Sequence, residues 1–109
     1  MLKIVTIENF DKEFKKLVKK YPSIITDLRT LLNSLQDNPL QGSPLGKDCY
    51  KVRMAIGSKN KGKSGGARII TCVKITQETI TLVSIYDKSQ QSDIENNLLI
   101  KLLETNNLL

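Results

Sequence analysis

Residues Gly57 to Ser64 read GSKNKGKS, a literal match to G-x-x-x-x-G-K-[ST]. In that pattern a glycine loop and the N-terminus of the following helix cradle nucleotide phosphates with backbone N–H groups. Such a cradle needs a helix to begin at its end. Here Gly65 and Gly66 lead instead into Ala67-Arg68-Ile69-Ile70-Thr71-Cys72-Val73, a β-branched run that reads as a strand. No long alternation of strands and helices surrounds it, and 109 residues are few for a doubly wound sheet. The match therefore reads as a basic hairpin loop, not as a nucleotide triphosphatase site.

The loop still shares its charge with a phosphate cradle. From Lys47 to Lys74 there are eight basic residues and one acid, Asp48, whereas the rest of the chain holds nine basic and ten acidic residues. The whole excess behind the net charge of +6 lies in that block. Concentrated positive charge points to a polyanion partner, through phosphate neutralisation and counterion release. Two cysteines without histidine do not make a structural zinc site. No stretch approaches the roughly 18 apolar residues of a membrane span. No signal peptide opens the sequence, so a cytoplasmic protein is expected, with Cys49 and Cys72 as buried thiols.

These cations need a frame. Leu2 to Ile7 is a strand candidate, and Asn9 is placed to cap a helix. Phe10, Phe14, Leu17, Val18 and Tyr21 form one apolar helical stripe, with Lys12, Lys15, Lys16, Lys19 and Lys20 on the other side. Tyr21-Pro22-Ser23 breaks this helix and starts a second, whose stripe is Ile24, Ile25, Leu28, Leu31, Leu32 and Leu35. The short turn predicts an antiparallel helical hairpin. Asp37-Asn38-Pro39 ends the second helix, and Leu40 to Gly46, with two glycines and a proline, reads as a loop.

Three strands are predicted next: Cys49 to Ile56, Ala67 to Ile75 and Thr79 to Tyr86, the last two joined at Gln77-Glu78. Alternation puts Lys51 and Arg53 on the face opposite Tyr50, Val52 and Met54. A final helix is expected from Ser92, with Ser92 and Glu95 as a capping box and Ile94, Leu98, Leu99, Leu102 and Leu103 as its apolar face. The expected fold is one α+β domain over 1–109. Its four-stranded, mainly antiparallel sheet carries the helical hairpin on one face, followed by a C-terminal helix. The other face, with Lys51, Arg53, Arg68 and Tyr86, is predicted to be open and cationic.

This order, with the words DCYKVR (48–53), GARII (66–70) and SIYDKS (84–89), resembles the RelE/ParE superfamily of toxins from type II toxin–antitoxin modules. The KGKSGGAR loop is most similar to the HigB-type branch. The resemblance implies a metal-independent, ribosome-dependent endoribonuclease without cofactor. In such toxins the ribose 2′-OH of mRNA attacks the adjacent phosphate in the ribosomal A site. It also implies a cognate antitoxin, a small helix-turn-helix protein encoded nearby, and a toxin that is monomeric alone. In the RelE-like pattern two basic residues lie two apart on the second strand, which here are Lys51 and Arg53. An arginine opening the third strand matches Arg68, and a basic residue past the fourth matches Lys88. A base-stacking tyrosine in the family's final segment falls near Ile94 here, which leaves Tyr86 as the nearby substitute. Superfamily members of the ParE kind inhibit DNA gyrase instead. A non-catalytic nucleic-acid-binding module is the third reading, although the scarcity of aromatics argues against a base-stacking platform.

Histidine is absent, which excludes a histidine-pair ribonuclease mechanism. What remains is electrostatic stabilisation of the phosphorane-like transition state, for which the planar guanidinium of Arg68, with Arg53 beside it, is suited. Lys51, if crowded by other cations, is the candidate general base. Lys88 is the candidate general acid or a phosphate contact. Lys47, Lys59, Lys61, Lys63 and Lys74 are expected to hold RNA or ribosome phosphates.

Overall fold

A computed structural model describes residues 1–60 and 62–109, so Lys61 lies outside the described residues. The elements run β1 (Lys3–Thr6), α1 (Glu8–Lys20), α2 (Ile24–Asp37), β2 (Ser43–Gly46), β3 (Cys49–Met54), β4 (Ala67–Lys74), β5 (Thr79–Asp87) and α3 (Asn96–Thr105). The fold is α+β. Its one sheet has five strands in the order β1-β5-β4-β3-β2 and is mixed, because β1 runs parallel to β5 while the other neighbours are antiparallel.

The fifth strand corrects the expected four. Part of the stretch read as a loop, Ser43–Gly46, pairs with Lys51 to Cys49 through a hairpin whose tip is Lys47-Asp48. Both tip residues have positive φ, 54° and 64°, as a type I′ turn requires. The usual Asn-Gly or Asp-Gly signal is missing, and Pro44 and Gly46 disguise an edge strand as coil. Gly42 enters the strand at φ 102°, where a Cβ would also strike the Lys51 carbonyl.

β4 and β5 are the centre of the core. Ala67 to Val73 and Ile80 to Asp87 are buried throughout, mostly apolar residues with Arg68, Thr71, Thr81, Ser84 and Asp87 among them. Register puts Val52, Ile69 and Ile85 in one row of the face under the helical hairpin. Tyr21, at the end of α1, reaches Asp87 on that face, and Leu31 of α2 borders the same groove as Met54. Phe10, Ile24, Leu31 and Leu35 of the hairpin join the core, as do Leu99 and Leu103 of α3. A bulge lies in β5 at Val83, because Ser84 opposes Ile70 while Leu82 opposes the next residue, Thr71.

β1 is too short to cover all of β5. Past its end, α1 takes over the open edge with side chains. Asn9 Nδ2 donates to the Val83 carbonyl at 3.1 Å, and Glu13 accepts from Ile85 N–H at 3.2 Å and Ser84 Oγ at 2.8 Å. Desolvation raises the pKa of Glu13, as expected for a carboxylate enlisted to satisfy backbone. Asn9 is thus an edge ligand, not the predicted cap: Ile7 holds the cap position and makes no side-chain cap bond. The last helix also starts later than expected. Glu95 caps it by accepting from Asn97 N–H, which leaves Ser92 and Ile94 in the preceding segment and Leu98 exposed.

Candidate functional site

β3, β4 and β5 place Arg53, Arg68 and Tyr86 in one cross-strand row, with Lys51, Ile70 and Ser84 in the next. The chain then turns at Lys88 and comes back past Ser92. Lys51, Arg53, Arg68 and Lys88 thereby line one cleft of about 240 Å³, together with Ser43 of β2 and Ser92. The four cations come from positions spread over 38 residues of sequence, and the three central strands bring them together.

The face is less open than predicted. Arg53 is exposed, but Arg68 is only 6% exposed and Tyr86 4%. The site is a narrow cleft and not a bare sheet, because the segment after β5 folds back beside it. That segment contributes Asp93, which the sequence reading missed. Asp93 Oδ2 lies 3.3 Å from Lys51 Nζ, and its Oδ1 accepts from Tyr86 OH at 3.4 Å and from its neighbour Ile94 N–H at 2.9 Å. Desolvation pushes the Asp93 carboxyl up, but the Ile94 amide and Lys51 outweigh it and hold the pKa below the ordinary value. Burial, with Asp93 adding to it, raises the Tyr86 phenol to about 12. An acid in a Gln-Ser-Asp stretch looks like a helix cap, and only the fold shows that it faces cations.

Arg68 is held by main chain. Its Nη1 donates to the carbonyls of Lys63 at 3.0 Å and Ala67 at 3.2 Å, and its Nη2 to Ser64 at 3.3 Å. Among the described residues no carboxylate lies within salt-bridge distance, and neither Asp48 nor Asp87 takes the pairing role. Of the five guanidinium N–H donors, three are used in fixing the group and two remain. The basic loop is thus the support of Arg68. Gly66 closes it, since a Cβ there would collide with the Met54 carbonyl. The element that directly follows the loop is a strand, β4, where a phosphate loop needs a helix.

The remaining cations divide. Lys63 and Lys47 are exposed. Lys74 pairs with Asp48 at 2.8 Å, which raises its pKa. Lys59, expected to face phosphates, turns inward instead. Its ammonium group lies 2.7 Å from Asp87 Oδ1 and 3.0 Å from Ser89 Oγ, with side-chain exposures of 8% for Lys59 and 2% for Asp87. Tyr21 also donates to Asp87, and Lys59 Nζ sits 5.6 Å over the Tyr21 ring. Burial pushes the Asp87 carboxyl up, yet the hydrogen bonds from Lys59, Tyr21 and Ser89 hold it far below the carboxylate range. The same cluster raises the Tyr21 phenol to about 12, chiefly through its bond to Asp87. Nearby, Asp27 accepts from Gly57 N–H at 3.0 Å, and Ser23 Oγ accepts from Ser58 N–H at 2.8 Å. The base of the basic loop is therefore latched to the helical hairpin.

Chemically, the cleft can bind a phosphate or another compact anion and stabilise further negative charge on it. Cys49 and Cys72 face each other across β3 and β4 as free, buried thiols, away from the cleft lining. Among the described residues no helix is long and apolar enough to cross a membrane. No protein-family model and no curated protein matches this chain, so its geometry and the words of its sequence carry the functional reading.

Proposed function

We propose that this chain is a RelE/ParE-like toxin of the HigB/RelE kind, a metal-independent endoribonuclease that cuts mRNA on the ribosome and is neutralised in the cytoplasm by a cognate antitoxin. The observation that carries the reading is the meeting of Lys51, Arg53, Arg68 and Lys88 around one cleft, where among the described residues only Lys51 has a carboxylate partner, Asp93. An excess of cations at fixed positions suits a transition state in which one phosphate gains negative charge.

In this mechanism the phosphate next to the attacked bond sits among the four cations. The 2′-OH oxygen forms a bond to phosphorus as its proton passes to water, the bond to the 5′-oxygen breaks as that oxygen takes a proton, and a 2′,3′-cyclic phosphate results. Arg68, immobilised by the Lys63, Ala67 and Ser64 carbonyls, presents its remaining donors without having to reorganise. Arg53 is the mobile clamp. Lys88, whose Nζ is 3.3 Å from the Ser92 carbonyl, is the proton donor to the leaving 5′-oxygen. Lys51 shares the cleft with three other cations but also pairs with the Asp93 carboxylate at 3.3 Å. Lys51 is better cast as a transition-state stabiliser, with Asp93 holding it in place.

The test is expression without antitoxin. Growth arrest with loss of protein synthesis and appearance of cut mRNA is expected, and Arg68→Ala should remove both. Arrest with intact translation and lost DNA supercoiling would replace this reading with gyrase inhibition.

A further inference from the structure

A second cavity, of about 190 Å³, lies between α2 and the sheet, on the far side of Arg53 from the cleft. Leu31, Ser34, Gln41, Arg53, Met54 and Lys63 are among its lining residues. Arg53 borders both spaces, so whatever the cleft holds by phosphate continues naturally into this groove.

Three features give the groove a chemistry. The first is an open strand edge. The pairing of β2 with β3 stops at Ser43, opposite Lys51, so among the described residues the β3 edge away from β4 has no strand beside it from Val52 onward. The bond from Val73 N–H to the Asp48 carbonyl sets the phase of the β3–β4 ladder. By alternation Tyr50, Val52 and Met54 bond to β4, while the N–H and C=O of Arg53 face outward on the groove side. The second is an apolar floor, because Leu31 and Met54 are 7% and 3% exposed. The third is a polar rim. Gln41 Nε2 donates to Ser34 Oγ at 2.8 Å and to the Asn38 carbonyl at 3.1 Å, and its Oε1 has no partner among the described residues.

We propose that this groove is a base pocket for the nucleotide adjacent to the phosphate held in the cleft. It rests on the RNA-cleaving reading above. An apolar floor takes the face of a base, while the outward N–H and C=O of Arg53 with the Gln41 oxygen meet its edge. Arg53 and Lys63 supply the charge that the flanking phosphate requires. The one acid in the lining, Asp27, already accepts from Gly57 N–H and Ser23 Oγ. The volume falls below the roughly 300 Å³ at which drug-sized pockets begin, which suits a single planar base. A peptide strand is the poorer occupant. The open edge ends at Ala55, far short of the roughly five to six residues of an ordinary strand pair.

The experiment is an NMR titration of the full chain with inorganic phosphate and with four uncleavable 2′-O-methyl RNA trinucleotides differing in one base. Phosphate should move side-chain signals of Lys51, Arg53, Arg68 and Lys88 only. The trinucleotides should also move the Arg53 and Ala55 amides and the Met54 methyl, with affinities spread about fivefold or more among the four bases. Ser34→Leu, at an exposed helix position, should fill the groove and shrink that spread to about twofold or less. Trinucleotides that move the cleft signals but not the groove signals would overturn the inference and leave the nuclease reading standing. So would equal affinities that Ser34→Leu does not alter. Groove signals that follow protein concentration without RNA would mark strand pairing between copies and also overturn it. RNA that moves neither set, with no cleavage on ribosomes, would remove the nuclease reading and the pocket together.

Discussion

The end of β5 separates two charged clusters by one residue. Lys88 lines the cleft and Tyr86 lies buried in the same cross-strand row as Arg68, while Asp87, between them, looks under the helical hairpin. In the buried cluster every buried charge is answered: Asp87 has Lys59, Tyr21, Ser89 and, from the solvent side at 4.0 Å, Lys20, and Lys59 has Asp87 and Ser89. In the cleft four cations meet one carboxylate, and Arg53 has no carboxylate partner among the described residues. The difference is one of balance. A balanced cluster fixes structure and gives an outside ion nothing to bind. An unbalanced one stays soluble through water and counterions, and is ready to exchange them for a phosphate. Alternation along one strand is enough to build both.

The largest expected effect breaks the balanced cluster. Asp87→Ala leaves Lys59 buried without its partner and should destabilise the fold by about 3–5 kcal/mol, read by urea or thermal unfolding. The pH dependence has a definite sign. The folded-state pKa of Asp87 is depressed, so its stabilisation is present above the unfolded carboxylate value of about 3.9 and is lost as pH falls below it. Wild-type stability should therefore fall below about pH 4, and the variant should lack that share of the fall. A variant as stable as wild type would show that the cluster is not holding the loop to the hairpin.

Breaking the unbalanced cluster should do the reverse. Arg68→Ala should lower mRNA cleavage by about 10²–10³-fold, the range for losing one donor to a developing oxyanion. It should change unfolding by only about 1 kcal/mol, because two of the three carbonyls it leaves, those of Lys63 and Ser64, belong to a loop that water reaches. Loss of folding comparable to Asp87→Ala, with cleavage per folded molecule unchanged, would move Arg68 from the site to the scaffold.

The two clusters also hold tyrosines raised to the same value for different reasons. Tyr21 reaches about 12 chiefly through its bond to Asp87, and Tyr86 reaches about 12 chiefly through burial. Phenolate absorbance should accordingly show Tyr21 returning toward 10 in Asp87→Asn, whereas Tyr86 should move much less in Asp93→Asn. The stabilisation tied to Tyr21 is in place below about pH 10 and is lost as pH rises through about 12. Equal shifts in the two variants would mean that both sites are governed by their carboxylates.

Much of this frame was legible in the chain, for reasons that also mark where legibility ends. The stripes of α1 and α2 and the runs of β3, β4 and β5 carry strong periodicity, and Lys51, Arg53, Arg68 and Lys88 line one cleft. Ser43–Gly46 was not readable, because an edge strand needs little β-propensity and tolerates Pro44. Asn9 and Ser92 have the right types for caps, but tertiary partners decided their roles: Val83 for Asn9, and the fold-back beside the cleft for Ser92. Asp93 was missed because pairing with Lys51 joins residues 42 apart.

Lys59 and Lys63 state that limit most sharply, and they give the smallest and most selective test. Both are lysines of one glycine-rich loop, and nothing local distinguishes them. The fold buries Lys59 against Asp87, 28 residues away, and leaves Lys63 exposed. If only unbalanced charge binds RNA, Lys63→Ala should weaken RNA binding and reduce the slope of log affinity against log salt by about one unit. Lys59→Met should lower stability while leaving that slope unchanged, because a cation already neutralised by a buried carboxylate releases no counterion. Equal slope changes would show the Lys59–Asp87 pair opening when RNA binds, and the two clusters would then act as one site.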